Sequence, residues 1–269
     1  MTLDKALFIS QEINPYLPST LLSDLCRDLP QRIQEKGVEV RTFMPKYGAI
    51  NERRNQLHEV IRLSGLNIVI DDNDHPLIIK VATLQPSRMQ VYFIDNDDYF
   101  CRNGASQIET VAHPEDNDER IMFFARGVLE TVKKLRWVPS VIQCTGWVTA
   151  LAPIYIRGMY RDDPTLKDSK IVFSIFNDRP VAPLDPRIID KLKMDGFSDT
   201  DLKSLTDAEQ IDDIALSKLA IDFSDAVSVA CADAPQELVD YAIKSGKPFM
   251  PYPGEESYAD ACHEFYKSL

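Results

Sequence analysis

The stretch KALFISQEINPYLPSTLLSDLCRDLPQRIQEKGVEVRTFM, Lys5 to Met44, decides the architecture. Lys5 to Ser10 is an apolar run of strand length. Ser19 to Lys36 then carries Leu21, Leu22, Leu25, Leu29 and Ile33 at helical spacing, and Gly37 stands where a helix stop belongs. Val38 to Met44 is a second strand-like run. Strand, helix and strand in immediate succession predict a β-α-β crossover and therefore a parallel pair.

The same alternation continues outward. Leu57 to Asp95 is strand-rich (LNIVI, LIIKVATL, QVYFID), broken by the polar turn DDNDHP. The spacing predicts helices over Glu119 to Leu135 and Trp147 to Tyr160, and strands over Ser140 to Cys144, Lys170 to Phe176 and Ala226 to Cys231. Asp185 to Asp225 reads as acidic and helical, with Thr206 to Glu209 as a capping box. Asp233 reads as the cap of a helix that carries Pro235 in its first turn and ends at Gly246. Near-continuous apolar strands separated by helices predict an α/β, Rossmann-like, doubly wound and mostly parallel sheet. Ligands of such sheets sit beyond the carboxyl ends of the strands, so the loops after Ser10, Cys144, Phe176 and Cys231 are where chemistry is expected.

A net charge of −12 argues against nucleic-acid and anionic-membrane partners, because phosphate contacts need clustered Lys and Arg. Five scattered cysteines with no C-x-x-C suit reduced thiols in a cytoplasm. The four histidines show no metal-ligand spacing, and neither a metal nor another cofactor is expected. No basic-then-apolar leader and no membrane-length apolar run is present, so a cytoplasmic protein is expected.

The motifs in order resemble the amino-terminal half of the glycogen and starch synthases that use ADP-glucose, family 5 glycosyltransferases of the two-domain GT-B fold. The first loop and helix of that family read roughly S-E-V-x-P-x-x-K-T-G-G-L-x-D-V. Glu12, Pro15, Leu22 and Asp24 fall in step with it, followed by Leu29, Pro30, Gly37, Val40, Pro45 and Tyr47. Tyr99, Phe100, Arg102 and Gly104 resemble the segment before the family's D-N-x-x-R-F helix, and Asp116, Asn117, Arg120 and Phe123 resemble that helix. Trp147, Thr149, Ala150, Leu151 and Pro153 resemble H-D-W-x-T-A-L-x-P, and the strand ending at Asn177 resembles one ending T-I-H-N.

The resemblance implies a substrate site at Glu12, Asp24, Tyr99, Arg102, Asp116, Asn117, Arg120, Trp147 and Asn177, with an α-glucan or a sugar nucleotide as ligand. Each residue also has a plainer reading: helix caps for Asp116 and Asn117, core packing for Trp147, a solvated helix face for Asp24.

The departures fall on the family's reactive positions. K-T-G-G becomes Pro18-Ser19-Thr20-Leu21, which offers neither the charge nor the bare backbone that a diphosphate needs. H-x-H-D-W becomes Gln143-Cys144-Thr145-Gly146-Trp147, and Phe176 replaces the histidine before Asn177. Roughly ninety residues follow Asn177, too few for a second domain of typical size. The expectation is one α/β domain over residues 1–256, with a strand-rich insertion near 57–110. Residues 257–269 resemble the family's last helix and are expected to pack back on that domain, the donor-binding domain having been lost. No catalytic residue is assigned. A degenerate glucan- or sugar-nucleotide-binding or regulatory domain is expected. The alternatives are an ADP-glucose-dependent transferase completed by a second chain, and a scaffold for a protein partner.

Overall fold

The computed structural model describes residues 3–101 and 116–269. Strands β1 (Lys5–Ile9) and β2 (Glu39–Pro45) flank helix α1 (Leu21–Glu35) in sequence and pair in parallel, Ala6 opposite Val40. The edge elements β3 (His58–Glu59), β4 (Leu66–Ile70) and β5 (Asn73–Leu84) precede β6 (Met89–Asp95) and the short helix α2 (Asp97–Phe100). Helix α3 (Asn117–Leu135), β7 (Val141–Thr145), a 3-10 turn at Trp147–Thr149, α4 (Leu151–Arg157) and β8 (Lys170–Ile175) follow. Then come α5 (Ile188–Met194), α6 (Lys203–Thr206), α7 (Asp213–Phe223), β9 (Ala226–Val229), α8 (Gln236–Lys244), β10 (Phe249–Met250) and α9 (Glu255–Ser268).

The strand order is β10-β9-β8-β7-β1-β2-β6-β5-β3, with β4 on β5. Every pair from β10 to β6 is parallel, while β5 runs antiparallel to β6, β3 and β4. The chain leaves β1 for β2 on one side and later returns to β7 on the other. That reversal places the topological switch point at β1 and β7, where parallel sheets open a crevice for ligands.

Several local expectations change. DDNDHP is not all turn. Asp71 and Asp72 have φ of 49° and 61° and turn the β4–β5 hairpin, while Asn73 to Pro76 already belong to β5. Thr206 ends α6 and donates back to the Lys203 carbonyl, so it caps no helix start. The cap of α7 is Asp212, which accepts from the Ala215 N–H at 3.0 Å. Asp233 does not cap α8, whose N-cap is Pro235. The apolar residues of α1 split between two directions: Leu22, Cys26, Leu29 and Ile33 enter the core, whereas Leu21 is 76% exposed.

Helix α9 lies against α1 and buries Tyr258, Ala259, Cys262 and Tyr266. Its two tyrosines reach polar side chains inside the sheet. The Tyr266 hydroxyl donates to Gln143 Oε1 at 2.9 Å, and the Tyr258 hydroxyl lies 3.3 Å from Ser174 Oγ. Gln143 donates in turn to Ser174, which shares a hydrogen bond with Ser228. The chain of contacts crosses β7, β8 and β9. By contrast, the Lys36–Asp260 ion pair joining α1 to α9 is largely solvated and contributes little.

The cysteines are unpaired, and all but Cys101 are buried. Burial pushes the thiols of Cys26 and Cys262 up to about 12. Among the described residues, no helix is long and apolar enough to cross a membrane.

Tyr266→Phe leaves the buried Gln143 oxygen without its donor. We expect a loss of about 1–3 kcal/mol of stability, read as a lower urea midpoint at unchanged slope. An unshifted midpoint contradicts the role given to this bond.

Candidate functional site at the carboxyl ends of the strands

The loop after β1 folds over the switch point. Glu12 is buried and accepts from the Thr20 hydroxyl, and burial raises its pKa. Thr20 is also the N-cap of α1: its Oγ1 accepts from the Ser23 N–H at 2.9 Å, and Ser23 Oγ accepts from the Thr20 N–H at 2.8 Å. Two donors at the head of α1 are thereby satisfied internally. Asp24 accepts from Ser19 at 2.6 Å and from Asn14, and these bonds hold its carboxyl below the usual range. Arg27, one turn along, is paired with Asp24 at 3.8 Å.

At the amino end of α3, Asp116 occupies the N-cap position, yet it makes no side-chain cap. Its carboxylate pairs with Arg120 at 3.0 Å. Asn117, Arg120 and Trp147 share a small pocket with Pro45 and Tyr47 whose free volume is only about 20 Å³. Trp147 is 2% exposed, so its ring belongs to the core, the plainer of its two readings. Tyr99 is likewise internal. Its hydroxyl donates to Glu119 at 2.8 Å and lies 3.0 Å from His75 Nε2, and Glu119 is held by Lys191 at 2.7 Å. Arg102 lies outside the described residues. Asn177 is exposed, and its side-chain amide donates to Asp233 at 2.7 Å. The structure thus gathers Glu12, Arg120 and Trp147 around Tyr47 and sets Tyr99 and Asn177 apart. Tyr47 itself stands only as a family match in the sequence.

Another residue passed over in the sequence is Asp178. It follows Asn177, and its carboxyl lies against Gly146, whose φ is +77°. A Cβ at position 146 would stand 2.3 Å from Asp178 Oδ2. The space beside position 146 is therefore filled by a carboxyl from the next strand's loop. Both of its oxygens are shut off from solvent and have no side-chain partner. Burial raises its pKa to about 8. Asp213 and Glu12 add to the rise, and the backbone N–H groups of Trp147 and Asp178 offset part of it. The signal available in the sequence was positional: Asp178 lies in the loop after a parallel strand next to the switch point.

Among the described residues, Asp95, Asp97 and Cys101 bring ligand atoms within 4.8 Å of one another. Two of its members already face cations: Lys80 pairs with Asp95 at 2.7 Å and Lys46 Nζ lies 3.6 Å from Cys101 Sγ.

The family profile described as "Starch synthase catalytic domain" matches residues 5–246. The chain belongs to the starch synthase catalytic domain family. Among similar curated proteins, the glycogen synthase of Chlorobium luteolum is 36% identical over 189 residues, which are 70% of this chain and 39% of that protein. The glycogen synthase of Chlorobium phaeobacteroides is 38% identical over 174 residues, 64% of this chain and 36% of that protein. This starch synthase-like chain thus spans well under half the length of these relatives. The catalytic domain of starch synthase IV from Arabidopsis thaliana, solved with ADP and acarbose, superposes with a TM-score of 0.72 at 20% identity. That match covers 93% of this chain and 51% of the plant domain, and it fixes the fold as one half of a GT-B glycosyltransferase.

Two experiments test the Asp178 contact. Gly146→Ala adds a clash to a left-handed backbone, and we expect a loss of about 1–3 kcal/mol, part of which Asp178→Ala restores. The folded-state pKa lies above the unfolded one, so the stability held with the carboxyl protonated is lost as pH rises from about 4 to about 8. Asp178→Asn should therefore melt higher than wild type near pH 9, with the gap closing toward about pH 4. A constant gap across that range contradicts the buried-carboxyl account.

Proposed function

We propose that this chain is a glycogen synthase-like domain without glucosyl-transfer activity of its own, which binds α-glucan and regulates its use in the cytoplasm. The reading rests on the head of α1. A transferred glucosyl group leaves a nucleoside diphosphate, and that charge needs cationic side chains or free backbone N–H groups at the site. Here Thr20 and Ser23 occupy each other's N–H groups, Pro18 supplies none, and the nearby ionised carboxylate is Asp24. Glu12 stands behind them. A diphosphate would meet the Asp24 carboxylate, whose neighbouring Arg27 is already paired with it, and two N–H groups already satisfied, whereas a neutral glucan carries no such charge. The tightly filled space around Trp147 also speaks for a ligand held elsewhere than at the switch point.

The test is transfer of labelled glucose from ADP-glucose to glycogen by the purified protein. We expect no incorporation above a protein-free control, together with saturable binding of maltoheptaose. Turnover by the isolated chain overturns the reading. Turnover that appears only on adding cell extract depleted of its own synthase replaces it with a transferase completed by a second chain.

A further inference from the structure

A groove of about 440 Å³ runs along the outer flank of α1, within the usual size range of small-ligand sites. Neither Glu12, Tyr47, Arg120, Trp147 nor Asp178 lines it. One wall is the stripe Leu21, Leu25 and Leu29, two helical turns and about 12 Å long. The floor is Phe176 and the chain that leaves β9, and the far wall is Tyr252 with the first turn of α9. Tyr252 stands 6.0 Å from Tyr258, ring centre to ring centre, which fixes an aromatic face at the groove.

The polar rim is one-sided. Asp24, Asp28, Asp233 and Glu255 line the rim with Arg32, and Arg27 beside it pairs with Asp28 at 2.6 Å and with Asp24 at 3.8 Å, which leaves carboxylates in excess. Hydrogen bonds from Asn177 and Cys231 hold the Asp233 carboxyl below its usual range, and bonds to Ser19 and Asn14 do the same for Asp24. Ionised carboxylates only accept hydrogen bonds, so the groove asks for a ligand rich in hydroxyl donors. Its leucines and aromatic rings ask for apolar C–H faces. A phosphate-bearing ligand would be repelled. Leu21, 76% exposed at the rim, is an apolar contact left open to solvent.

We propose that this groove is the α-glucan site of the protein. Sugar C–H faces pack on Tyr252, Phe176 and Leu21, and sugar hydroxyls donate to Asp28, Asp233 and Glu255. The assignment rests on the glucan-binding reading above and gives it a place outside the switch point.

The test is a calorimetric titration with maltoheptaose of the wild type, Tyr252→Ala, Leu21→Ser and a control at an exposed position elsewhere, Val181→Ser, each checked by thermal melting for an intact fold. We expect both groove variants to weaken binding by roughly tenfold or more, the control to match wild type, and ADP-glucose not to displace the oligosaccharide. Wild-type binding that is unchanged in both groove variants overturns the placement and leaves the glucan reading standing. Displacement by ADP-glucose overturns the exclusion of phosphate-bearing ligands from the groove. Absence of wild-type binding at millimolar sugar overturns the reading and the placement together. In that case an oligolysine peptide that binds wild type, and is lost in the groove variants, assigns the acidic groove to a cationic protein partner.

Discussion

A parallel sheet covered on both faces leaves its interior polar atoms no water to turn to, so each must find a partner inside the protein. Gln143 shows what this requires. It sits on a central strand, and both ends of its amide are engaged, one by Ser174 and the other by the hydroxyl of Tyr266. Ser174 carries the bonding on to Ser228 and Tyr258. Helix α9 is thereby joined to three strands through bonds that no solvent competes for. The packing of α9 beside α1, and with it the groove, depends on that connection.

The switch point follows a different logic. The residues there satisfy one another. Thr20 and Ser23 close the head of α1, Trp147 fills the space beside Tyr47, and Asp178 covers Gly146. Each of these residues makes an internal contact. The strands and crossovers depend instead on apolar patterning.

Much of this fold was legible in the sequence because strand and helix periods depend on residues near one another. The parallel core and the strand-rich edge follow from spacing, while the last helix came from its resemblance to the family's final helix. The side-chain assignments fared differently. Thr206 and Asp233 had the residue types of N-caps, but tertiary partners set where the helices begin. Leu21 fitted the apolar period of α1, yet the core takes only the face centred on Leu22, Cys26, Leu29 and Ile33. Tyr99 carried a family position but not its surroundings, since His75, Glu119 and Lys191 come from three distant segments. Asp178 was hidden for the same reason: its contact with Gly146 joins the ends of two strands far apart in sequence and adjacent in space.

The dispersed thiols carry a further consequence. Cys26 sits in α1, Cys144 in β7, Cys231 after β9 and Cys262 in α9, each shielded and with its thiol pushed up by burial. A shielded thiol of raised pKa reacts with an alkylating reagent only when its own segment opens. The native protein therefore carries a set of local clocks. The order in which these sulfurs become modified reports which segment parts from the sheet first, and whether α9 lifts away before the strands beneath it separate.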